Sequence, residues 1–401
     1  MEALPLRAIH PGLKTNVFRA GSDRKLLKTK VIYGANASGK SNLLMAISFF
    51  NFAVTLSWNP ESSILERAEP FATDPETREA PSFFEMRLLA EGVPYRYGFT
   101  VAPGGIVTGE WLFGTPGKKE VPFFTRSEDE LNISATHLKS ARKMVAAVEG
   151  EGWFVAPTSL LLSALGFYFK NDEVVPVYRT IANLSIINGA LATEFDSKTV
   201  KRLADSTVQI KVRELLARAD IELDELRVRN GSATGVGESA DNMTLMGDVI
   251  REREWNLYVQ PKNLSPRNRN GFRAETYLSK GTIKLLLLAE AIIRALDNGQ
   301  CLVIDEFEAR MHTQLSQAII RMFNSEESNP KGAQLIVATH DTNLLSPLLL
   351  RRDQITFVDK DERGASSVYS LAQVKGVRDG SPYEKEYLSG RYGGVPVVNS
   401  L

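Results

Sequence analysis

The sequence predicts an α/β fold with a parallel or mixed sheet, interrupted by a largely helical insertion, and three observations carry that prediction. Residues 34–41 fit GxxxxGK[ST], set between the strand pattern Lys30-Val-Ile-Tyr33 and an apolar helix pattern that begins at Asn42. Strand and helix patterns alternate again between residues 276 and 371, which is the sign of a parallel sheet. Between these two regions, from about residue 115 to 275, helical patterns broken by polar loops take over.

Four segments follow from this reading: a first nucleotide lobe over 1–114, a mostly helical insertion over 115–275, a second lobe over 276–375, and a polar tail over 376–401. In the first lobe, residues 82–89 and 95–101 read as paired strands around the hairpin signal Ala90-Glu-Gly-Val93. In the insertion, residues 197–219 place Val200, Leu203, Ala204, Val208, Val212 and Leu215 on one helical face, and the Gly/Ser-rich stretch 230–239 reads as a loop at its tip. Heptads are not sustained, which argues against a long coiled-coil arm. The second lobe reads as helix 281–296, strand 301–305, helix 313–323, strand 334–339, a helix after Asn343 and strand 355–358.

Bulk properties exclude several function classes. The 401 residues carry 48 Lys+Arg against 48 Asp+Glu, so no global field draws the chain to nucleic acid or an anionic membrane. Cys301 lies in the apolar run Cys301-Leu-Val-Ile304, the setting of a small buried hydrophobe. The start of the chain lacks a charged region followed by an apolar one, so the expected location is the cytoplasm. The apolar stretches 160–169 and 285–295 fall short of the ~20 residues of a membrane span and read as core helices.

The glycine-bearing loop specifies its own chemistry. Gly34 and Gly39 let backbone N–H groups wrap phosphates, Lys40 meets the β/γ charge, the Ser41 hydroxyl ligates Mg²⁺, and Asn36, Ser38 and Asn42 belong to the same cradle. Downstream, four apolar residues lead into Asp305 and Glu306, the form of a Walker B strand. Asp305 holds the magnesium ion through water, and Glu306 stands where a general base polarises the attacking water. Leu278-Ser279-Lys280-Gly281-Thr282 opens a helix and resembles a signature segment able to present Ser279, Gly281 and Thr282 to a γ-phosphate. Taken alone it reads more readily as a plain Ser N-cap, a preference that the order of the motifs overturns. His340, in Ala338-Thr-His340-Asp341, closes the next apolar strand, where a switch residue contacts the γ-phosphate. The order Walker A, signature, Walker B, switch histidine is that of an ABC-type P-loop ATPase head.

These motifs, with Ile304-Asp-Glu-Phe-Glu-Ala-Arg-Met-His312 and the tail Tyr387-Leu-Ser-Gly-Arg391-Tyr-Gly-Gly394, resemble the OLD-related ABC ATPases of prokaryotic phage defence, of the RloA and AriA kind. The resemblance spans roughly residues 15–113 and 275–397. It implies an ATP hydrolase using Mg²⁺, whose site forms between two protomers of a homodimer or higher oligomer. Ser279 and Gly281 of one protomer would cap ATP held on Lys40 of the other, with His312, matching the family's D-loop histidine, across the interface. Catalytic roles fall to Glu306, His340 and Lys40. Two departures stand out: residues 50–82 offer no Q-loop glutamine, and Lys280 sits in the middle of the signature. Asp359-Lys-Asp361 imitates the Asp-x-Asp of a Toprim nuclease without an upstream glycine-flanked glutamate, so it reads as a strand-end turn and the nuclease reads as absent. The expected role is then a sensor or regulator of a separate effector such as a nuclease, set off by a phage component. The competing readings are a RecF- or SMC-like DNA-binding ATPase, for which the basic cluster Arg267, Arg269 and Arg273 is a weak pointer, and, last, a transporter nucleotide subunit.

Overall fold

The computed structural model describes residues 4–20, 24–59, 61–148, 155–188, 197–218, 221–230, 255–261, 271–309 and 311–395. In chain order the strands and helices are β1 (Val17–Ala20), β2 (Arg24–Leu27), β3 (Thr29–Tyr33), α1 (Lys40–Leu56), α2 (Pro75–Arg78), β4 (Ser82–Ala90), β5 (Val93–Ala102), β6 (Ile106–Gly114), β7 (Val121–Ser127), β8 (Leu131–Ile133), α3 (Lys139–Val148), α4 (Leu161–Ser163), α5 (Val175–Ala182), β9 (Ser185–Asn188), α6 (Ser197–Arg202), α7 (Ser206–Ala217), β10 (Leu223–Asn230), β11 (Trp255–Pro261), β12 (Phe272–Arg273), α8 (Ala274–Tyr277), α9 (Lys280–Asn298), β13 (Cys301–Asp305), α10 (Thr313–Asn324), β14 (Gln334–Ala338), β15 (Ile355–Lys360), β16 (Ser366–Ser370) and α11 (Tyr383–Leu388).

Among the described residues the central sheet has six strands in the order β16-β15-β3-β14-β13-β9. All its neighbours pair parallel except the edge hairpin β15–β16. Because side chains alternate along a strand, each central strand feeds two cores. Val31, Tyr33, Leu302, Ile304, Leu335, Val337, Ile355 and Phe357 join the face covered by α9 and α10. Ile32, Val303, Ile336 and Val358 join Leu44 of α1 on the other face. This is the α/β head that the motif order predicts.

Helix α1 links the sheet to a second lobe. Its first half packs on the sheet through Leu44, while Phe50, Ala53 and Val54 enter a separate core beneath the five-stranded antiparallel meander β4-β5-β6-β7-β8. Phe50 stacks on Phe99 of β5 with ring centroids 5.2 Å apart. Glu110 on β6 is fully buried and pins the start of α4 to the meander. Its carboxylate accepts the Leu161 and Leu162 amides at 2.7 and 2.9 Å and the Tyr97 hydroxyl at 3.0 Å, with Arg126 at 3.5 Å. Burial raises its pKa above the ordinary carboxylate value, against the opposing pull of Arg126 and these donors.

Several expectations are corrected here. The boundary at 114/115 does not separate lobes, because β6 continues through β7 into β8 within one meander. The Gly- and Lys-bearing turn between β6 and β7 is a hairpin connection. Nor are the described residues of 115–275 helical alone: β9 adds a parallel strand beside β13, and β10, β11 and β12 form their own small sheet. The single helix expected over 197–219 breaks at Asp205, whose carboxylate caps α7 by accepting the Thr207 and Val208 amides. The helix expected after Asn343 is one 3₁₀ turn, Thr342–Leu344, with Pro347 unable to supply a helical N–H. The tip loop over 231–239 lies outside the described residues.

The tail is not a polar appendage either. Tyr383 and Tyr387, spaced i,i+4 on α11, turn inward together, and Tyr392 is buried with them. The Tyr387 ring packs 5.7 Å from Tyr33 and 5.4 Å from Phe357. The Tyr387 hydroxyl donates to the Gly394 carbonyl at 2.9 Å, and a Cβ placed on Gly394 would come within 3.6 Å of the Gly34 Cα.

Glu110→Ala strips the buried network of its shared acceptor and leaves the buried Arg126 charge without a carboxylate, held only by the Ser159 and Ala156 carbonyls. It is expected to lower unfolding stability by about 3–5 kcal/mol, read as a reduced urea midpoint; a midpoint unchanged from wild type would show that the network does not hold α4 to the meander.

Candidate nucleotide site

The site is built on the carboxyl edge of β3, β14 and β13. β14 lies between the other two, and the registers Ala338↔Ile32 and Ile304↔Val337 bring the three strand ends level. Each strand therefore delivers its following residues to one crevice, the usual location of ligands in parallel sheets. β3 delivers Gly34 and the loop to Lys40, β14 delivers Thr339 and His340, and β13 delivers Asp305 and Glu306.

The loop after β3 is tightly determined. A Cβ at Gly34 would lie 2.4 Å from the Val358 carbonyl oxygen and 2.6 Å from the Ser38 Oγ, so only glycine fits. Gly39 has φ +106°, and a Cβ there would meet the Ser366 Oγ at 2.2 Å. Ser366 in turn donates to the Ser38 carbonyl at 2.7 Å, bracing the loop from β16. Ala37 sits in the left-handed region at φ 60°, a conformation that a residue with a Cβ adopts at a cost of roughly 1–2 kcal/mol. Asn36, Ser41 and Asn42 are exposed.

Lys40 is 7% exposed, and its Nζ donates to the Gly34 and Ala35 carbonyls at 2.8 and 2.9 Å. Burial lowers its pKa from the ordinary amine value, while the nearby carboxylates of Asp305 and Glu308 oppose that shift. The Ser38 Oγ is buried without a hydrogen-bond partner, and Gly39 gives α1 no side-chain cap. An unpartnered hydroxyl, an uncapped helix N-terminus and a buried ammonium are a donor set that fits phosphate oxygens. The Ser41 hydroxyl and the Asp305 carboxylate are hard oxygen ligands of the kind Mg²⁺ takes alongside phosphate and water. ATP and Mg²⁺ thus fit the residues present.

Glu306 is exposed at φ 48°, a second non-glycine residue held in the left-handed region. Its amide donates to the Asp305 Oδ1 at 3.0 Å, and the next amide, of Phe307, donates to the Ala338 carbonyl at 3.0 Å. Beside it, His340 has its imidazole pKa lowered by desolvation and then by the Lys40 charge, against the carboxylates of Glu308, Glu306 and Asp305. These mutual influences place Lys40, Asp305, Glu306 and His340 in one electrostatic neighbourhood.

The structure treats the remaining candidates differently. Ser279 caps α9, accepting the Thr282 amide at 3.1 Å, with the Ser279 and Thr282 hydroxyls 2.9 Å apart. His312 caps α10, its Nδ1 accepting the Gln314 amide at 3.2 Å. Both caps are exposed, and among the described residues no hydrogen bond joins Ser279, Gly281, Thr282 or His312 to the phosphate loop. Within one chain, then, the simple N-cap describes Ser279. Asp361 accepts the Arg363 and Ala365 amides, the strand-end turn expected of it. Arg267 and Arg269 lie outside the described residues, and Arg273 is 3.7 Å from Glu275.

Sequence reading missed two residues. Glu308 reaches across to β14, and the nearly buried Lys284, one turn into α9, donates to the Ala309 carbonyl at 2.6 Å and the Glu306 carbonyl at 3.4 Å. The only signal for Glu308 was a third acid so soon after Asp305 and Glu306. Lys284 sits within an apolar helix pattern and gave none.

Gly34→Ala is expected to weaken binding of a fluorescent ATP analogue by at least about tenfold (~1.4 kcal/mol), while Gly117→Ala, where an added Cβ meets nothing within 4 Å, leaves it unchanged. Equal affinities for the two variants would mean that the loop can open to accept a Cβ, against the crowding described.

A solved structure from Clostridium perfringens, cbiO1, described as part of the ABC transporter complex cbiONQ, is similar over 55% of this chain and 66% of that one, slightly under two thirds of its length, at 13% identity and a TM-score of 0.27. A likeness so slight bears on no residue. The curated proteins yield no match. The family model described as "AAA domain, putative AbiEii toxin, Type IV TA system" matches residues 31–139 and 245–346, together more than half of the chain. Its first segment runs from the phosphate-loop strand through the whole meander, and its second takes in α9, β13 and β14. With the glycine loop, the acidic strand end and the intervening strand β14 all inside those segments, the chain belongs to this AAA family of P-loop ATPases.

Proposed function

We propose that the chain is an ABC-class ATPase that binds and hydrolyses Mg-ATP between protomers, and that it regulates a separate toxic effector, such as a nuclease, in anti-phage defence. The observation that carries the ATPase reading is the meeting of Lys40, Asp305, Glu306 and His340 at one sheet edge beside an uncapped helix N-terminus. In this reading the loop amides and Lys40 hold the phosphates and Ser41 and Asp305 hold magnesium. Glu306, exposed and fixed at its backbone, orients and deprotonates the attacking water, and His340 meets the γ-phosphate.

The interprotomer part of the reading draws on the exposed caps. Ser279, Gly281, Thr282 and His312 have no tie to the loop of their own chain, and the first turn of α9 offers N–H groups to a phosphate held by a second copy. The defence role draws on the motif resemblance and on the family's printed description, which names a toxin and a toxin–antitoxin system. A phage protein as trigger and a separate effector as output are parts of the same proposal.

Glu306→Gln is expected to reduce steady-state ATP turnover by about 10²-fold or more while binding ATP as tightly as wild type. With Mg-ATP the same variant is expected to accumulate as a dimer by light scattering, and Ser279→Arg in that background to return it to monomer. Undiminished turnover would remove Glu306 as the base, and a mass that ATP does not change would remove the shared site. Deleting the gene from its locus with its neighbours intact should abolish phage resistance; resistance that persists ends the defence reading.

A further inference from the structure

Glu308 occupies a position that neither the loop nor the strand ends require. It lies three residues beyond Asp305, on the turn that follows β13, yet both its carboxylate oxygens are spent on the two residues that follow β14. Oε2 accepts the Thr339 hydroxyl at 2.6 Å, and Oε1 accepts the backbone amide of His340 at 2.8 Å. The Thr339 side chain is fixed on its other side too, accepting the Asp341 amide at 3.1 Å. Thr339 is 1% exposed, and its own amide donates to the Ile32 carbonyl at 3.1 Å. The acid-bearing turn is therefore bolted to the residue before the histidine, to the histidine itself and, through them, to the strand that enters the phosphate loop.

We propose that Glu308 is a positioning residue that locks the His340 loop onto the Asp305–Glu306 turn, so that base and switch histidine meet a nucleotide as one rigid unit. Only a carboxylate serves here. A glutamine offers one oxygen for two donors and turns an N–H₂ toward the other, leaving a hydroxyl or an amide without an acceptor. The Glu308 charge also opposes the lowering of the Lys40 pKa by burial, while the Lys40 ammonium itself is held by the Gly34 and Ala35 carbonyls. With both oxygens engaged by neutral donors, Glu308 is not itself offered as the base. The inference rests on the hydrolytic reading of the site, but the clamp is a property of the chain that is measurable without ATP.

The test compares the full chain with Glu308→Gln and Thr339→Ala. In hydrogen–deuterium exchange without nucleotide, the peptide containing the His340 amide is expected to exchange roughly tenfold faster in both variants, with β13 and α10 unaltered. ATP turnover is expected to fall by roughly ten- to a hundredfold while the affinity for a fluorescent ATP analogue stays within about threefold. Thr339→Ser, which keeps the hydroxyl, recovers most of what Thr339→Ala loses, and the double variant is no worse than either single one. Unchanged exchange at His340, affinity falling in step with turnover, or additive losses would each overturn the assignment. A wild-type chain that does not turn over ATP would sink the hydrolytic reading alone, and the exchange comparison would then decide the clamp by itself.

Discussion

Because β3, β14 and β13 are adjacent, parallel and level at their carboxyl ends, three segments far apart in sequence deliver their next residues to one crevice. That alignment is the constraint on which the chemistry depends. The sheet fixes strand ends to within the pleat, and the loops that follow are then short enough to be held by a handful of bonds. The Ala338 and Ile32 carbonyls, which accept the Phe307 and Thr339 amides, stitch the ends together sideways. A slip of any one strand by a residue would reverse its inward and outward faces and carry its functional side chain away from the other two.

Two of the four non-glycine residues with positive φ among the described residues lie on this edge, the others being Glu91 and Lys170. Ala37 and Glu306 both adopt left-handed backbone that favours glycine, one in the phosphate loop and one at the acidic turn. Neither is at the free end of a loop. Ala37 is flanked by Ser38, held through its carbonyl by Ser366, and Glu306 precedes Phe307, which is fully buried. Both residues are exposed, and it is the tie on the residue that follows each, Ser38 and Phe307, that holds them in place.

The parts of the fold legible in the sequence are those with a local cause. The β4–β5 hairpin announced itself through Glu91-Gly92, and α9, β13, α10, β14 and β15 through periodicity, with ends within about three residues of expectation. The glycine loop was readable because its spacing is dictated by phosphate wrapping and not by tertiary context. What escaped notice was non-local. β9 is four residues long and becomes a strand only because β13 offers it an edge. The inward turn of Tyr387 depends on Tyr33 and Phe357, some 350 and 30 residues upstream. Glu308 and Lys284 acquire meaning only from the carbonyls and amides they face, which no spacing within the chain reveals.

Gly394 lies so near Gly34 that an added Cβ would come within 3.6 Å of the Gly34 Cα, which brings together backbone separated by 360 positions. A ribosome adding roughly 5–20 residues per second makes the phosphate loop about 20–70 seconds before the segment that closes over it, and β14 and β15, which flank β3 on either side, are nearly as late. Throughout that interval the nascent chain displays the loop's sequence without the crevice. A translation product cut short before residue 394 carries the complete motif yet lacks part of the wall behind its first glycine, so the motif by itself does not make the crevice.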